Sequence, residues 1–584
     1  MERVSHIQSH HQCRRLDGRR RVEGCKNSSA GGPQVIPNDQ PQLDIGQAPA
    51  PPRTLGCPDR IKELLVKAYF VGGGIGSLAG AAFMIRDAGV AGAQITIIER
   101  SAIAGGSLDA APHATGGYSL RGGRMLTSDH YECLWDLLKT IPSLDHPEES
   151  VFEETARFNR EHPAHSSARL VDQHRFKLDV SSMGFTNADR LELVRLAETS
   201  EDALGTSRIT DWLSPPFFRT NFWWMWQTTF AFQPWHSAVE LKRYLHRFMN
   251  EFPRIETLAG VKRTVYNQYD SIVQPLEAWL RAGGVNFVHG TTVTEMDLRD
   301  EGGQVTVQAL HVLDDAGTRR IAVGAEDLVF FQNASMTDAS STGSMELAAP
   351  RLTMADSGGW TLWEKIARGR PEFGNPAAFN SSIAESYWAS FTVTCNTTAF
   401  FDRMESFSGD RAGTGGLVTF KDSNWQMSVV LYHQPHFRGQ RADQQVFWGY
   451  ALQPDRVGNF VPKAMSDCSG AEILQELRGH LNFDPEVLAG AICIPCRLPY
   501  ITSMFMPRAK TDRPLPVPKC SRNLAFVSQF VEIGDDVVFT VEYSVRAAQM
   551  AVYQLLGVRR QVPPITRHDH SLKVMFDSLV KSFS

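Results

Sequence analysis

The sequence is short of cysteine, of unbroken apolar runs and of excess positive charge. Nine cysteines among 584 residues, at scattered positions, make a sparse and odd set. That excludes a disulfide scaffold and suits reduced thiols in an intracellular protein. The one CxxC, Cys493–Cys496, has no second ligand pair at similar spacing, so a packing role is expected and no metal site. A formal net charge of -5 gives no reason to expect a nucleic-acid partner. The first residues lack an apolar h-region, so no secretory signal is expected. The most apolar run, 64–85, is interrupted by Lys67 and five glycines. It fits a strand, a turn and a buried helix better than a membrane span. No internal repeat is evident.

What is there begins unevenly. Residues 1–60 hold seven prolines, nine Lys/Arg and six Asp/Glu, and read as a disordered extension. Order is expected from residue 61. "KAYFVGGGIGSLAGAAFMIRDAG" reads as a strand, a glycine turn and a helix, and "AQITIIER" as a second strand. Residues 151–254 look helical and aromatic, with "NFWWMWQTTFAFQPWHSAVELKRYLHRFMNEF" at 221–252. Strands return at 285–335, the middle of them as a meander. Near the C-terminus "NLAFVSQFVEI" reads as a strand and "VFTVEYSVRAAQMAVYQLLG" as a helix.

The first turn carries a dinucleotide fingerprint. Gly72 permits a tight turn, Gly74 lets backbone approach a pyrophosphate, and Ser77 is the small third position. Amides at the helix N-terminus would face the phosphates. Glu99 ends the second strand, where an acid can bond ribose hydroxyls. A second small-residue turn, with Gly105, Gly106 and Ser107, follows that strand as in FAD rather than NAD domains. The C-terminal helix would start near Phe539–Thr540 and aim its amide dipoles at the flavin ring. Val293, Asn333 and Ser335 complete the expected contacts.

Residues 121–138, "RGGRMLTSDHYECLWDLL", read as a Gly-Gly turn between cations and then a helix. Such a turn suits close approach of backbone to an electron-rich group. Here Arg121, Gly122, Gly123 and Arg124 are expected against the isoalloxazine, with Met125 packing on ring or substrate.

Several stretches carry a resemblance. They are "GGGIGSLAGAAFMIRDAG", "RGGR…YECLWDLL", "NFWWMWQTTFAFQPWHSAVELKRY", "YNQYDSIVQPL", "QPHF", "FWGYALQPDRVGNFVPKAM" and "CIPCRLPYITSMFMPRAKTDRPLPVP…FVEIGDDVVFTVEYSVRAA". Spanning about 62–558, they resemble the oleate hydratase family, the myosin-cross-reactive antigens. The resemblance implies an FAD enzyme that adds water to a cis double bond of a free unsaturated fatty acid, without net redox change. It makes Tyr244 the residue that protonates the alkene. It places Met125 where most relatives carry a water-activating glutamate, and a thioether cannot act as a base. Asp129, His130 and Glu132 nearby are expected on a helix face or in caps rather than as a replacement base.

For the substrate carboxylate the resemblance points to Gln268 and His436. The family's Thr-x-Asn pair is replaced by Val430 and Tyr432, so the Tyr432 hydroxyl or His433 would have to serve. Among Phe222, Trp223, Trp224, Trp226, Phe230, Phe232 and Trp235, two or three are expected to touch substrate and the rest to fill core.

The expected fold is α/β. A glutathione-reductase-like FAD-binding Rossmann domain would be assembled from 61–150, 255–345 and 491–558, with a mixed substrate domain from 151–254 and 346–490. A helical tail at 559–584 would set Leu572, Met575, Phe576, Leu579, Val580 and Phe583 along one stripe. A bilayer surface, the protein itself or the second subunit of a homodimer would each cover such a stripe. The expected location is cytoplasmic, with peripheral membrane contact as the alternative. Two further functions fit the same scaffold: a flavin-dependent fatty acid double-bond isomerase, and a lipid-binding flavoprotein without turnover.

Overall fold

In the computed structural model, residues 66–123 and 125–584 are described. The expectations for residues 1–60 and for Arg124 lie outside them.

Four short runs of branched and aromatic residues, and one more from the far end of the chain, build a parallel sheet. They are β1 (Ala68–Val71), β2 (Ile95–Ile98), β3 (Asn286–Val288), β4 (Leu328–Phe331) and β5 (Leu524–Phe526). The sheet order is β5-β4-β1-β2-β3, and every pairing is parallel. Strands buried on both faces need apolar residues at every position, and β1 and β4 are buried throughout. The two faces serve different cores. Ala68 and Phe70 point into a cluster with α1 (Ile75–Arg86), whereas Tyr69 and Val71 point into a second, aromatic-rich core.

An antiparallel meander, Thr292–Glu301, Gln304–Asp314 and Gly317–Ala322, is inserted between β3 and β4. A seven-stranded sheet runs in the order 341–342, 492–498, 388–395, 445–451, 427–431, 418–420, 170–171. The expected boundaries at 346 and 490 cut through this sheet. Ile492–Leu498 pairs along its whole length with Trp388–Cys395, because both are apolar and their backbones need partners. Cys493 and Cys496 lie buried within that strand, as free thiols. On strand 445–451, Val446, Trp448 and Tyr450 face the aromatic core, and Phe447 and Ala451 face the opposite cluster.

Two local expectations change. The residues after the Gly-Gly stretch form a two-residue strand, Leu126–Thr127, paired with Val261–Lys262, and the helix begins only at Glu132. The strand read at 523–533 ends at Phe526. Beyond it, the Ser528 hydroxyl donates to Asn333 O and the Gln529 amide to Thr540 O, so the chain leaves the ladder to shape a cavity. The C-terminal helix of the sheet domain starts at Val541, capped by the Thr540 side chain, close to the expected start at Phe539–Thr540.

Candidate active site

Three cavities meet at residues 121–123. The first, enclosing about 1180 Å³, lies over the C-terminal ends of β1, β2 and β4. Gly72, Gly74, Glu99, Gly106, Ser107, Arg121, Val293, Ser335, Phe539 and Thr540 line it, as the sequence suggested. The glycines there are required by space. Gly72 has φ +95°, which side chains resist. A Cβ on Gly74 would stand 2.3 Å from Gln332 Oε1, and one on Gly76 would stand 2.1 Å from Val527 O. The close helix–strand approach thus falls at Gly76. Ser77 lies fully buried inside α1 and does not line the cavity, a correction to its expected contact. Asn333 is likewise beneath the surface, its amide donating to Phe530 O.

Glu99 already accepts from Gly73 N at 2.6 Å and Ser101 N at 2.7 Å, which fixes its carboxylate at the rim. The N-terminus of α1 has no side-chain cap, so its amides are available to an anion. Gln332, which the sequence reading missed, lines the same wall with a buried Nε2 that has no partner. An uncapped helix end, a fixed acid and an orphaned amide suit a phosphate-bearing nucleotide.

The second cavity, about 1120 Å³, shares Arg121, Phe539, Thr540 and Val541 with the first. Met125 and Tyr244 both line it. Tyr244 sits on α2 (Ala238–Arg247), almost wholly buried among Phe230, Phe232, Phe248 and Phe505. Its hydroxyl donates to Val538 O at 2.6 Å, just before the turn shared with the first cavity. Of the seven aromatics at 222–235, only Trp226 and Phe230 reach this space; Phe222, Trp223 and Phe232 fill core, Trp224 packs against it, and the half-buried Trp235 donates its indole N–H to Glu385 O. Trp388, Trp448 and Tyr450 of the large sheet close the opposite wall.

The third cavity, about 550 Å³, brings together Gln268, Tyr432, His433 and His436. Val430 is buried in the core and is not among its lining residues. Tyr432 stacks on His436 with ring centroids 3.7 Å apart. Burial, with Arg263 and His433 adding, pushes His436 down to about 3, so its imidazole is neutral. Arg263 is the residue the sequence reading missed here. Its backbone is held by Asn159, one Nη donates to Gly415 O, and its buried Nε has no partner. A Lys-Arg-Thr run beside a recognised motif was the available signal.

Gly122 and Gly123 line the second and third cavities, not the first. A Cβ on Gly123 would stand 2.4 Å from the Tyr432 hydroxyl and 3.0 Å from Trp448. Closeness to these rings, rather than a left-handed turn, is what requires glycine. Arg121 makes five hydrogen bonds, two of them to Asp109, and braces the loops around the junction.

A model of the MCRA family matches residues 66–553. The chain belongs to the MCRA family. It is 37% identical over 510 residues to the oleate hydratase of Streptococcus pyogenes serotype M49 (strain NZ131), covering 85% of this chain and 86% of that protein. It is 34% identical over 561 residues to the linoleate hydratase of Lactiplantibacillus plantarum, covering 88% and 98%. Among solved structures, an oxidoreductase from Methanosarcina mazei aligns with a TM-score of 0.45 at 14% identity, over 84% of this chain and 100% of that one. Putrescine oxidase bound to putrescine aligns at 0.48 and 12%, over 84% and 99%. Among the described residues of this MCRA chain, no cluster of three or more His, Cys, Asp or Glu is placed to hold a metal, and no helix is long and apolar enough to cross a membrane.

Proposed function

We propose that this protein is an FAD-dependent fatty acid hydratase, adding water to a cis double bond of a free unsaturated fatty acid. The observation that carries the reading is the shared wall. Arg121 and Phe539–Val541 belong at once to a nucleotide-shaped cavity and to an aromatic chamber holding a buried phenol. FAD bound in the first cavity would supply a polar, planar face to that chamber.

The remaining chemistry belongs to the chain. An isolated alkene is neither acidic nor electrophilic, so positioning and acid catalysis must carry the rate. Tyr244 is the acid: burial removes competing water, and its neighbours fix the ring. Proton transfer to one carbon leaves the other electron-poor, and water adds there. The fatty acid carboxylate lies in the third cavity, against Gln268, His436 and the Arg263 guanidinium, which offsets its charge. Gly122 and Gly123 form the threshold over which the acyl chain passes.

The tail serves delivery. The helix α3 (Leu572–Ser582) docks through polar groups: Lys581 to Glu256 at 2.7 Å and the Ser578 hydroxyl to Met249 O. Its apolar residues point outward, with Leu572 84% and Phe576 64% exposed. Docking on its own protein leaves the stripe uncovered, and a lipid surface fits both the stripe and the substrate. Cosedimentation with phosphatidylcholine–phosphatidylglycerol vesicles tests this; a concentration-dependent dimer without vesicle binding assigns the stripe to a second copy.

Incubating the flavin-loaded protein with oleate or linoleate in ¹⁸O-labelled water tests the reaction. A singly labelled hydroxy acid is expected. A conjugated diene without label would instead mark an isomerase, and unchanged bound lipid a carrier.

A further inference from the structure

Met125 leaves the chamber without a base at that position, yet a hydroxyl–imidazole pair stands beside it. Thr127 lines the same cavity as Tyr244 and Met125. Its Oγ1 is 2.6 Å from His130 Nδ1, and both residues are buried. The tautomer follows from the next partner. Asn250 turns its Nδ2 toward Asp129 and Glu251, so its Oδ1 accepts from His130 Nε2 at 2.8 Å. Nδ1 therefore carries the lone pair, and the Thr127 hydroxyl donates to it. The oxygen of Thr127 keeps lone pairs for a water in the chamber.

We propose that Thr127, backed by His130, holds and deprotonates the attacking water. This rests on the hydratase reading. Tyr244 gives its phenolic proton to one alkene carbon, and the π pair becomes the new C–H bond. The water oxygen bonds to the other carbon while one of its O–H bonds breaks. That proton passes to Thr127 Oγ1 as the threonine proton moves to His130 Nδ1. His130 then releases it through water to the tyrosinate, so alkene and water give alcohol with nothing oxidised or reduced. Burial, with Arg247 and His568 adding, pushes His130 down to about 3, which keeps the imidazole neutral. A weak base suffices, because a water bonding to a carbocation is a strong acid.

The pair is aligned with Tyr244 by one helix. Arg247, three residues beyond Tyr244 on α2, donates to His130 O at 2.9 Å and to Glu132 at 2.6 Å. Trp135 Nε1 donates to Thr127 O, and Tyr131 to Met125 O. The other nearby acid, Glu251, lines the cavity with both oxygens engaged by Arg254 at 2.6 and 2.7 Å.

The test uses flavin-loaded wild type, Thr127→Val, Thr127→Ser, His130→Gln and Glu251→Gln, with oleate in ¹⁸O- and deuterium-labelled water. Thr127→Val and His130→Gln should lower labelled hydroxy acid formation roughly 10²–10⁴-fold. Deuterium uptake into recovered oleate, which reports Tyr244 alone, should persist, and Thr127→Ser should restore hydration to within about tenfold. Wild-type hydration in Thr127→Val, or parallel loss of hydration and deuterium uptake with flavin retained, would overturn the assignment. So would collapse of hydration only in Glu251→Gln. A wild type that adds no water at all sinks the hydratase reading itself, and this assignment with it.

Discussion

The cofactor cavity and the substrate chamber are built by opposite means. The first is made largely of main chain: glycine turns, an uncapped helix end and strand termini within short sequence spans. The second and third are made of side chains from at least five distant segments, around 125, 230, 250, 266 and 432–450. Backbone architecture repeats wherever a nucleotide must be held and tolerates little change. A side-chain chamber can exchange its chemistry residue by residue.

That contrast can be broken experimentally, beginning with the largest effect. Tyr244→Phe should cost roughly 10²–10⁴ in hydration rate, since it removes the proposed proton donor and leaves the ring packing. Flavin absorbance should be unchanged, and loss of colour would mean that the two cavities are not separable. Gly76→Ala should do the reverse. Its Cβ meets Val527 O at 2.1 Å, so flavin loading should fall, with stability lower by about 1–3 kcal/mol on thermal denaturation. Arg263→Leu should lower kcat/KM for oleate roughly 10–100-fold through the loss of one charge-assisted contact, while methyl oleate should be affected far less.

The smallest effect concerns acid. His130, His236 and His436 are each pushed down to about 3, chiefly by burial. The unfolded chain binds protons near pH 6.5 that the folded chain refuses, so stability is full above that pH and is lost as pH falls toward 3. The three together should cost roughly 2 kcal/mol between pH 7 and 6, seen as a falling midpoint in urea titrations. Because two of the three serve the chamber region, His236→Phe should remove only its share of this dependence.

Much of the first cavity was legible. Gly72, Gly74, Glu99 and the Gly106–Ser107 turn all line it, because β-α-β geometry fixes the few residues just past each strand end. Gln332 and Asp338 line it too and were missed, although Ser335 between them was expected; neither carries a motif of its own. In the chamber, the motif around Tyr244 was readable, whereas Thr127 and Arg263 were not. Leu126–Thr127 pairs with Val261–Lys262, a meeting of distant segments that sets Thr127 in the wall of the second cavity and Arg263 in that of the third.

By itself the sequence determined the parallel sheet, the nucleotide turn, the membership of a phenol in an aromatic helix region and the absence of glutamate at position 125. These are properties of local spacing and residue type. Only tertiary structure decided that Gly123 is small to admit Tyr432 and Trp448, and that the tail exposes its apolar stripe. It also placed a threonine, backed by a histidine, in the wall of the cavity that holds the phenol. Such facts arise where distant segments meet, and no short-range pattern encodes which atoms a packed core brings face to face.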